Sequence, residues 1–177
     1  MKKRWIWLTV AAALLLIVSV GTTLALLIAS SNQVENTFTV GNVNITLAET
    51  TGASYKLTPG VVLDKNPAVT VKAQSEDCWL FVRVEKSANF DRFCRYDMAD
   101  GWISLTGHSG VYYRKVPKTG VDRVFHVLHN DRVTVHDTVT EEQLAAIGSY
   151  PTLTVTGYAV QSEGVATAAD AWQIVQS

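Results

Sequence analysis

The sequence contains few of the residues that form disulfide scaffolds or sharp chain reversals. Among 177 residues there are only two cysteines, Cys78 and Cys94, and four prolines. Two cysteines allow at most one intramolecular disulfide, which an oxidising compartment would favour if the two Cα atoms lie close together. Two separate thiols, with Cys78 packed as a small apolar residue, are the alternative. The sequence leaves both open.

The motifs of common catalytic sites are also missing. The chain has no His-Glu-x-x-His helix, no Gly-x-Ser-x-Gly elbow and no glycine-rich phosphate loop. The four histidines are His108, His126, His129 and His136. His126 and His129 lie three apart in a predicted strand, so they would point to opposite faces. We therefore predict no catalytic residue, no metal and no cofactor, and a protein that is not an enzyme.

An excess of positive charge is absent as well. The chain has 15 basic and 16 acidic residues, and three of the basic residues are Lys2, Lys3 and Arg4 at the start. The rest of the chain is therefore mildly acidic, which gives it no electrostatic reason to bind nucleic acid or an anionic membrane.

The first 29 residues do carry a clear signal. Three cations precede the segment from Trp5 to Ala29, which contains no charged side chain. Its length suffices to cross a bilayer, which needs about 20 apolar residues, and the layout is that of a secretory signal. Small residues at Gly21–Ala25 predict signal-peptidase cleavage between Ala25 and Leu26, so residues 1–25 form the signal peptide. An uncleaved membrane anchor extending to residue 29 is the alternative, because Leu26, Leu27 and Ile28 continue the apolar run.

Residues 36–177 are predicted to form one β domain. Short segments that alternate apolar and polar residues are separated by Gly, Pro, Asn and Asp. In Cys78–Glu85, four alternate residues share one face and Trp79 and Phe81 lie on the other, as in a central strand. Thr140 and Thr167 are expected to cap two short helices. The predicted fold class is an all-β, jelly-roll-like antiparallel β-sandwich with one or two short helices, preceded by an N-terminal hydrophobic helix.

Several segments, taken in order, resemble one family. These are Gly21–Ala25, Asn36–Val43, Leu57–Gly60, Ser75–Val84 and Gly157–Gln161. They are similar to the TasA/camelysin family of exported Gram-positive proteins, whose signals are cut by a SipW-type signal peptidase. The resemblance implies a jelly-roll sandwich, secretion, and a role at the cell surface or in the biofilm matrix. In fibre-forming relatives the mature N-terminal segment inserts as a strand into the neighbouring subunit.

These observations favour an exported structural protein over an enzyme. Residues 26–35 would form an exposed linker, and the donor strand would include Leu26, Leu27, Ile28, Phe38 and Val40. The expected partners are the signal peptidase during export and then a second copy or another matrix protein, with membrane contact only through the N-terminal segment. The protein is expected to be secreted or at the cell surface, and membrane-anchored if the signal stays uncleaved. The alternatives are a metalloprotease-like enzyme, by analogy with camelysin, and a glycan-binding module that uses the strand aromatics.

Overall fold

A computed structural model describes residues 29–30, 36–51 and 54–177, which fall into two compact units. The described residues of the smaller unit are 29–30 and Ser54–Lys56. Its described part contains an antiparallel pair of two-residue strands, β1 (Ala29–Ser30) and β4 (Ser54–Tyr55). The predicted signal peptide and hydrophobic helix lie outside the described residues. Within the described residues, no helix has the length and apolar character needed to cross a bilayer.

The larger unit is mostly β, with several antiparallel sheets and few helices, as the alternating sequence pattern predicts. Its strands are β2 (Asn36–Val40), β3 (Ile45–Ala48), β5 (Val62–Asp64), β6 (Ala68–Val71), β7 (Cys78–Lys86), β8 (Cys94–Arg95), β9 (Ile103–Ser104), β10 (Val111–Val116), β11 (Arg123–His126), β12 (Arg132–Val135) and β13 (Leu153–Gln161). Its helices are α1 (Phe90–Phe93), α2 (Glu141–Ala145) and α3 (Ala168–Gln176), with a 3-10 turn at His129–Asp131.

These strands form three sheets. A five-stranded sheet has the order β2-β13-β7-β10-β9, and two three-stranded sheets have the orders β11-β6-β3 and β5-β12-β8. All pairings are antiparallel except one, because β2 runs parallel to β13. The prediction of a wholly antiparallel sandwich is therefore wrong at β2. Local alternation shows that a segment is a strand but does not show which strand it pairs with or in which direction.

The five-stranded sheet is covered on both faces. On one face, Cys78, Leu80, Val82 and Val84 of β7 belong to a large core that also takes in residues of both three-stranded sheets. On the other face, Phe81 belongs to a smaller core with Val160 and three residues of α3, which are Ala168, Ala171 and Trp172. This is the two-faced burial predicted for β7, which is the central strand of the five-stranded sheet.

The helix boundaries follow from their caps. The Thr140 hydroxyl accepts from the Gln143 backbone N–H at 3.3 Å, and the Gln143 side chain accepts from the Thr140 N–H at 3.0 Å. This capping box was predicted and satisfies two backbone donors that the first turn cannot pair internally. The Thr167 hydroxyl accepts from the Asp170 N–H at 3.1 Å and starts α3 in the same way. Both predicted caps are confirmed.

Candidate functional site

Two of the predicted donor residues, Phe38 and Val40, lie in β2 at one edge of the five-stranded sheet. Among the described strands it pairs only with β13, in parallel register from Asn36 opposite Thr156 to Val40 opposite Val160. An edge strand presents a row of backbone groups that its own sheet does not use, and this row is a template for another strand. β2 is therefore the part of the predicted site whose backbone is placed for association.

The side chains of β2 leave apolar surface exposed. Phe38 is 55% exposed and stacks on Tyr158, with ring centroids 5.3 Å apart and an interplanar angle of 15°. Val40 is 43% exposed, although its register partner Val160 is buried. α3 lies beside β2, and its Ile174 is also exposed. Large apolar side chains grouped in this way are typical of a surface that another chain covers.

A glycine turn fixes the end of β2. Gly41 has a φ of 85°, a left-handed conformation that favours glycine. A Cβ atom at Gly41 would lie 2.7 Å from Cβ of Gln161, so the turn packs directly against the end of β13. The Gln161 side chain accepts a hydrogen bond from the Asn42 N–H at 3.0 Å. The turn at Gly41 and Asn42 is the joint between β2 and β3.

An arginine on β10 connects the five-stranded sheet to a neighbouring sheet. The Arg114 guanidinium of β10 lies between the rings of Trp102 and Phe125, at 4.5 and 4.6 Å from their centroids. Its Nη2 donates to the Asp100 carbonyl at 2.7 Å. Burial first, and the nearby Arg123 second, lower the pKa of Arg114. Because Phe125 belongs to β11, this clamp joins two sheets without a carboxylate.

Both cysteines are free thiols in the structure, and both are buried. Burial raises the pKa of the Cys78 thiol to about 11, with a smaller contribution from the charge of Asp77. Burial alone raises the pKa of the Cys94 thiol to about 11. A thiol of that pKa is almost entirely protonated at neutral pH and is a poor nucleophile. The structure therefore corresponds to the second of the two alternatives, two separate packed thiols.

The histidines take different partners. His126 Nδ1 lies 2.9 Å from a carboxylate oxygen of Asp131, and His136 Nε2 lies 3.2 Å from the Asp91 carbonyl. The sequence pattern predicted that His126 and His129 share one strand. That prediction is wrong, because His129 belongs to the 3-10 turn. Across the described ranges, no three His, Cys, Asp or Glu side chains form a group that could hold a metal ion.

The strand aromatics pack against one another. Phe81 and Trp172 are buried, with ring centroids 5.2 Å apart. Tyr158 contacts the same Trp172 ring edge-on at 5.2 Å, and Trp79 contacts Tyr113 at 5.9 Å. The Trp79 Nε1–H donates to the carbonyl of Val165 at 3.1 Å. These rings hold α3 and the segment before it against the sheet.

Four predicted site residues cannot be placed. Ala25, Leu26, Leu27 and Ile28 lie outside the described residues.

One feature, a buried ion pair, was missed because it had no sequence signal. Lys65 Nζ lies 3.0 Å from Glu49, and their side chains are 8% and 2% exposed. The pair ties the end of β3 to the loop before β6, and losing one partner of a buried pair typically costs about 3–5 kcal/mol.

Comparison with known proteins adds no identification. No protein-family profile, no curated protein and no solved structure matches the chain.

Proposed function

We propose that the chain is an exported structural protein of the cell surface or biofilm matrix that self-associates by strand exchange at the β2 edge. The observation that carries this proposal is the parallel, exposed edge strand with two large apolar side chains, Phe38 and Val40. The N-terminal segment with its basic and apolar regions supports export. We further propose that the three sheets form a jelly-roll sandwich of the TasA/camelysin type.

The exchange has a simple physical basis. Within one chain, β2 forms the parallel ladder with β13 between Asn36–Val40 and Thr156–Val160. The β2 of a second copy could form the same ladder with the same register, so the backbone hydrogen bonds lost and gained would be equal. Exchange of an identical element is a low-cost route to association. The joint at Gly41 is where the strand would separate from its own domain.

The direction of assembly also follows from this arrangement. Each copy would donate β2 and receive the β2 of another copy beside its own β13. Such contacts are head-to-tail, so they produce an open filament unless the rotation between copies closes a ring. The apolar residues Leu26, Leu27 and Ile28, which cleavage after Ala25 would leave on the mature chain, would extend the donated segment and add apolar burial.

A cross-linking experiment tests the exchange directly. Phe38 and Tyr158 are register partners, and Cα atoms of directly opposed residues on neighbouring strands are close enough for a disulfide. We expect that mixing a Phe38→Cys chain with a Tyr158→Cys chain under oxidising conditions yields a covalent dimer on a non-reducing gel. The native thiols, which are buried, should not take part.

A matched control excludes random collision. Val124 is as exposed as Phe38 but lies on β11 in another sheet. A Phe38→Cys chain mixed with a Val124→Cys chain should give little dimer. Equal dimer in both mixtures, or none with Tyr158→Cys at high protein concentration, would contradict exchange at β2.

Deletion of residues 26–35 gives a second test, with electron microscopy as the readout. We expect filaments to disappear while the β-type circular dichroism and the thermal melting of the domain stay close to those of the full mature chain. Because this variant keeps β2, filaments that persist unchanged would show that residues 26–35 are not needed to join the copies. The alternative functions, a metalloprotease-like enzyme or a glycan-binding module, predict no filaments in either form.

A further inference from the structure

A small polar cavity opens on the outer face of the β5-β12-β8 sheet. Its volume is about 280 Å³, and its polar lining is formed by Arg95, Asp97, His129, Asn130, Arg132 and Thr134. None of these residues belongs to the β2 edge or to the arginine clamp. Cavities of a few hundred cubic ångströms hold small ligands. A cavity at the low end of that range has room for one small ligand.

Strand alternation brings the polar side chains to this face. In β12, Val133 and Val135 are buried in the core, so Arg132 and Thr134 point outward. Arg95 of β8 is the register partner of Thr134, which places its side chain next to both. Two guanidiniums and a hydroxyl therefore project from adjacent strands into one concave surface.

Among the described residues, neither cavity arginine forms an ion pair, although Asp64 lies opposite Arg132 in the sheet register and Asp97 lines the cavity. Three exposed lysines of the same domain, Lys72, Lys86 and Lys118, each form an ion pair within 3.0 Å. In the part of the chain that the structure describes, neither Arg95 nor Arg132 has such a partner. The cavity thus presents two guanidinium forks, each of which can bind a carboxylate or phosphate through two parallel hydrogen bonds.

The rim of the cavity is held in a strained conformation. Asn130 and Asp131 have φ values of 52° and 55°, consecutive left-handed residues that are not glycine. Such residues cost roughly 1–3 kcal/mol each and persist where surrounding contacts fix them, often at functional sites. Here the Asp131 carboxylate contacts His126 at 2.9 Å, and its carbonyl accepts from the Lys65 N–H at 2.7 Å. The strained turn holds Asn130 beside the guanidiniums.

We propose that this cavity binds an oxyanion carried on a hydroxyl-rich molecule, such as the carboxylate of a uronic acid or the phosphate of a polyol phosphate. Arg95 and Arg132 would hold the oxyanion. The Asn130 amide, the Thr134 hydroxyl and the Asp97 carboxylate offer both donors and acceptors, which suit neighbouring hydroxyl groups. Asp97 also disfavours a ligand with a second negative charge close to the first, since like charges repel.

NMR titration of the full-length, ¹⁵N-labelled chain tests the proposal, in a detergent without a sugar headgroup. The probes are glucuronate, glycerol 3-phosphate and neutral glucose. We expect saturable shifts of backbone amides in β8, β12 and the 3-10 turn with at least one charged probe and none with glucose. The probe that binds more tightly identifies whether the oxyanion is a carboxylate or a phosphate. Added salt should weaken binding, because the charges are exposed.

Matched variants assign the binding to this cavity. The double variant Arg95→Gln, Arg132→Gln should bind at least about tenfold more weakly, since hydrogen bonds to charged groups are among the strongest. Arg83→Gln, which changes an exposed arginine on β7, should bind like the unchanged chain. The same spectra report folding; if the double variant is misfolded, Arg95→Lys and Arg132→Lys serve instead and should weaken binding by removing the fork. Unchanged affinity in these variants, or equal binding of glucose, would overturn the proposal.

The inference does not depend on the proposed function. The titration is read on individual chains and at the β5-β12-β8 sheet, whereas the cross-linking experiment reads the β2 edge. Failure of one therefore leaves the other interpretable.

Discussion

Two strands of the same sheet, β7 and β2, show opposite relations to the rest of the molecule. β7 is paired with β13 at nine positions and with β10 at six, and it is buried on both faces. β2 has five paired positions, one neighbour in the sheet, and exposed Phe38 and Val40. The contrast teaches that burial is concentrated in β7, whereas β2 carries exposed apolar surface at the edge of the sheet. Changes at β7 should unfold the domain, and changes at β2 should alter its association.

The largest effect is expected from Phe81→Ala in β7. Phe81 has no exposed surface and contacts the Trp172 and Tyr113 rings at 5.2 and 6.2 Å. Truncating a buried phenylalanine typically lowers the free energy of unfolding by about 3–5 kcal/mol, because the cavity fills only partly. Urea denaturation followed by circular dichroism measures the loss. A cost below about 1 kcal/mol would show that β7 does not hold α3 to the sheet.

The second effect concerns thiol reactivity. With pKa values of about 11, the thiols of Cys78 and Cys94 carry about 100-fold less thiolate at pH 8 than a thiol of pKa 9.0. We expect native Cys78 and Cys94 to react with a disulfide reagent at least about 100-fold more slowly than a cysteine introduced by Phe38→Cys on the exposed strand.

Denaturation provides the control for this experiment. In denaturant without reductant, both native thiols should react at once. If neither reacts, the two cysteines are joined by a disulfide. If both react quickly in the native protein, Cys78 of β7 and Cys94 of β8 are more accessible to the reagent than their burial implies.

The third effect concerns the contact that Arg114 of β10 makes between two sheets. Arg114→Ala removes the side chain between Trp102 and Phe125 together with its hydrogen bond to Asp100. We expect the free energy of unfolding to fall by about 2 kcal/mol, since stacked arginines contribute both packing and cation–π attraction. Arg114→Met keeps most of the packing and should cost less. A loss equal to that of Arg114→Ala would mean that the charge, and not the packing, holds the two sheets together.

The smallest effect on stability is expected from Phe38→Ala. More than half of this side chain is exposed, and its main contact is the stack on Tyr158. An aromatic pair of this kind contributes about 0.5–1.5 kcal/mol, and exposure favours the lower value. The same urea titration measures the change, and light scattering measures association, which should weaken. A destabilisation similar to that of Phe81→Ala would remove the distinction between the two strands.

Sequence patterns predicted those structural features that depend on residues close together in the chain. Alternation over Cys78–Glu85 predicted both faces of β7, and the threonine caps predicted the starts of α2 and α3. The four-residue helix α1 was missed because four residues show no helical period. β5, three residues long, was missed because it begins two residues after Gly60 and is too short to show alternation.

Features built from distant residues could not be read from the sequence. The clamp joins Trp102, Arg114 and Phe125 from three separate segments, and the parallel pairing joins β2 to a strand near the other end of the chain. Of the candidate site, Phe38 and Val40 were predicted, but their exposure depends on which strand β2 pairs with. The paired arginines of the polar cavity depend in the same way on the register between β8 and β12.

The parallel direction of β2 has a mechanical consequence. The chain enters β2 at Asn36, opposite Thr156, and leaves it at Val40. A pull transmitted to the larger unit through the chain directly before Asn36, along the axis of the strand, would load this ladder first. Because the force lies along the strand and its hydrogen bonds lie across it, the bonds would be loaded together in shear and not opened one after another. A domain held from its N-terminal side in flowing liquid would thus resist force with the whole length of an exposed edge strand.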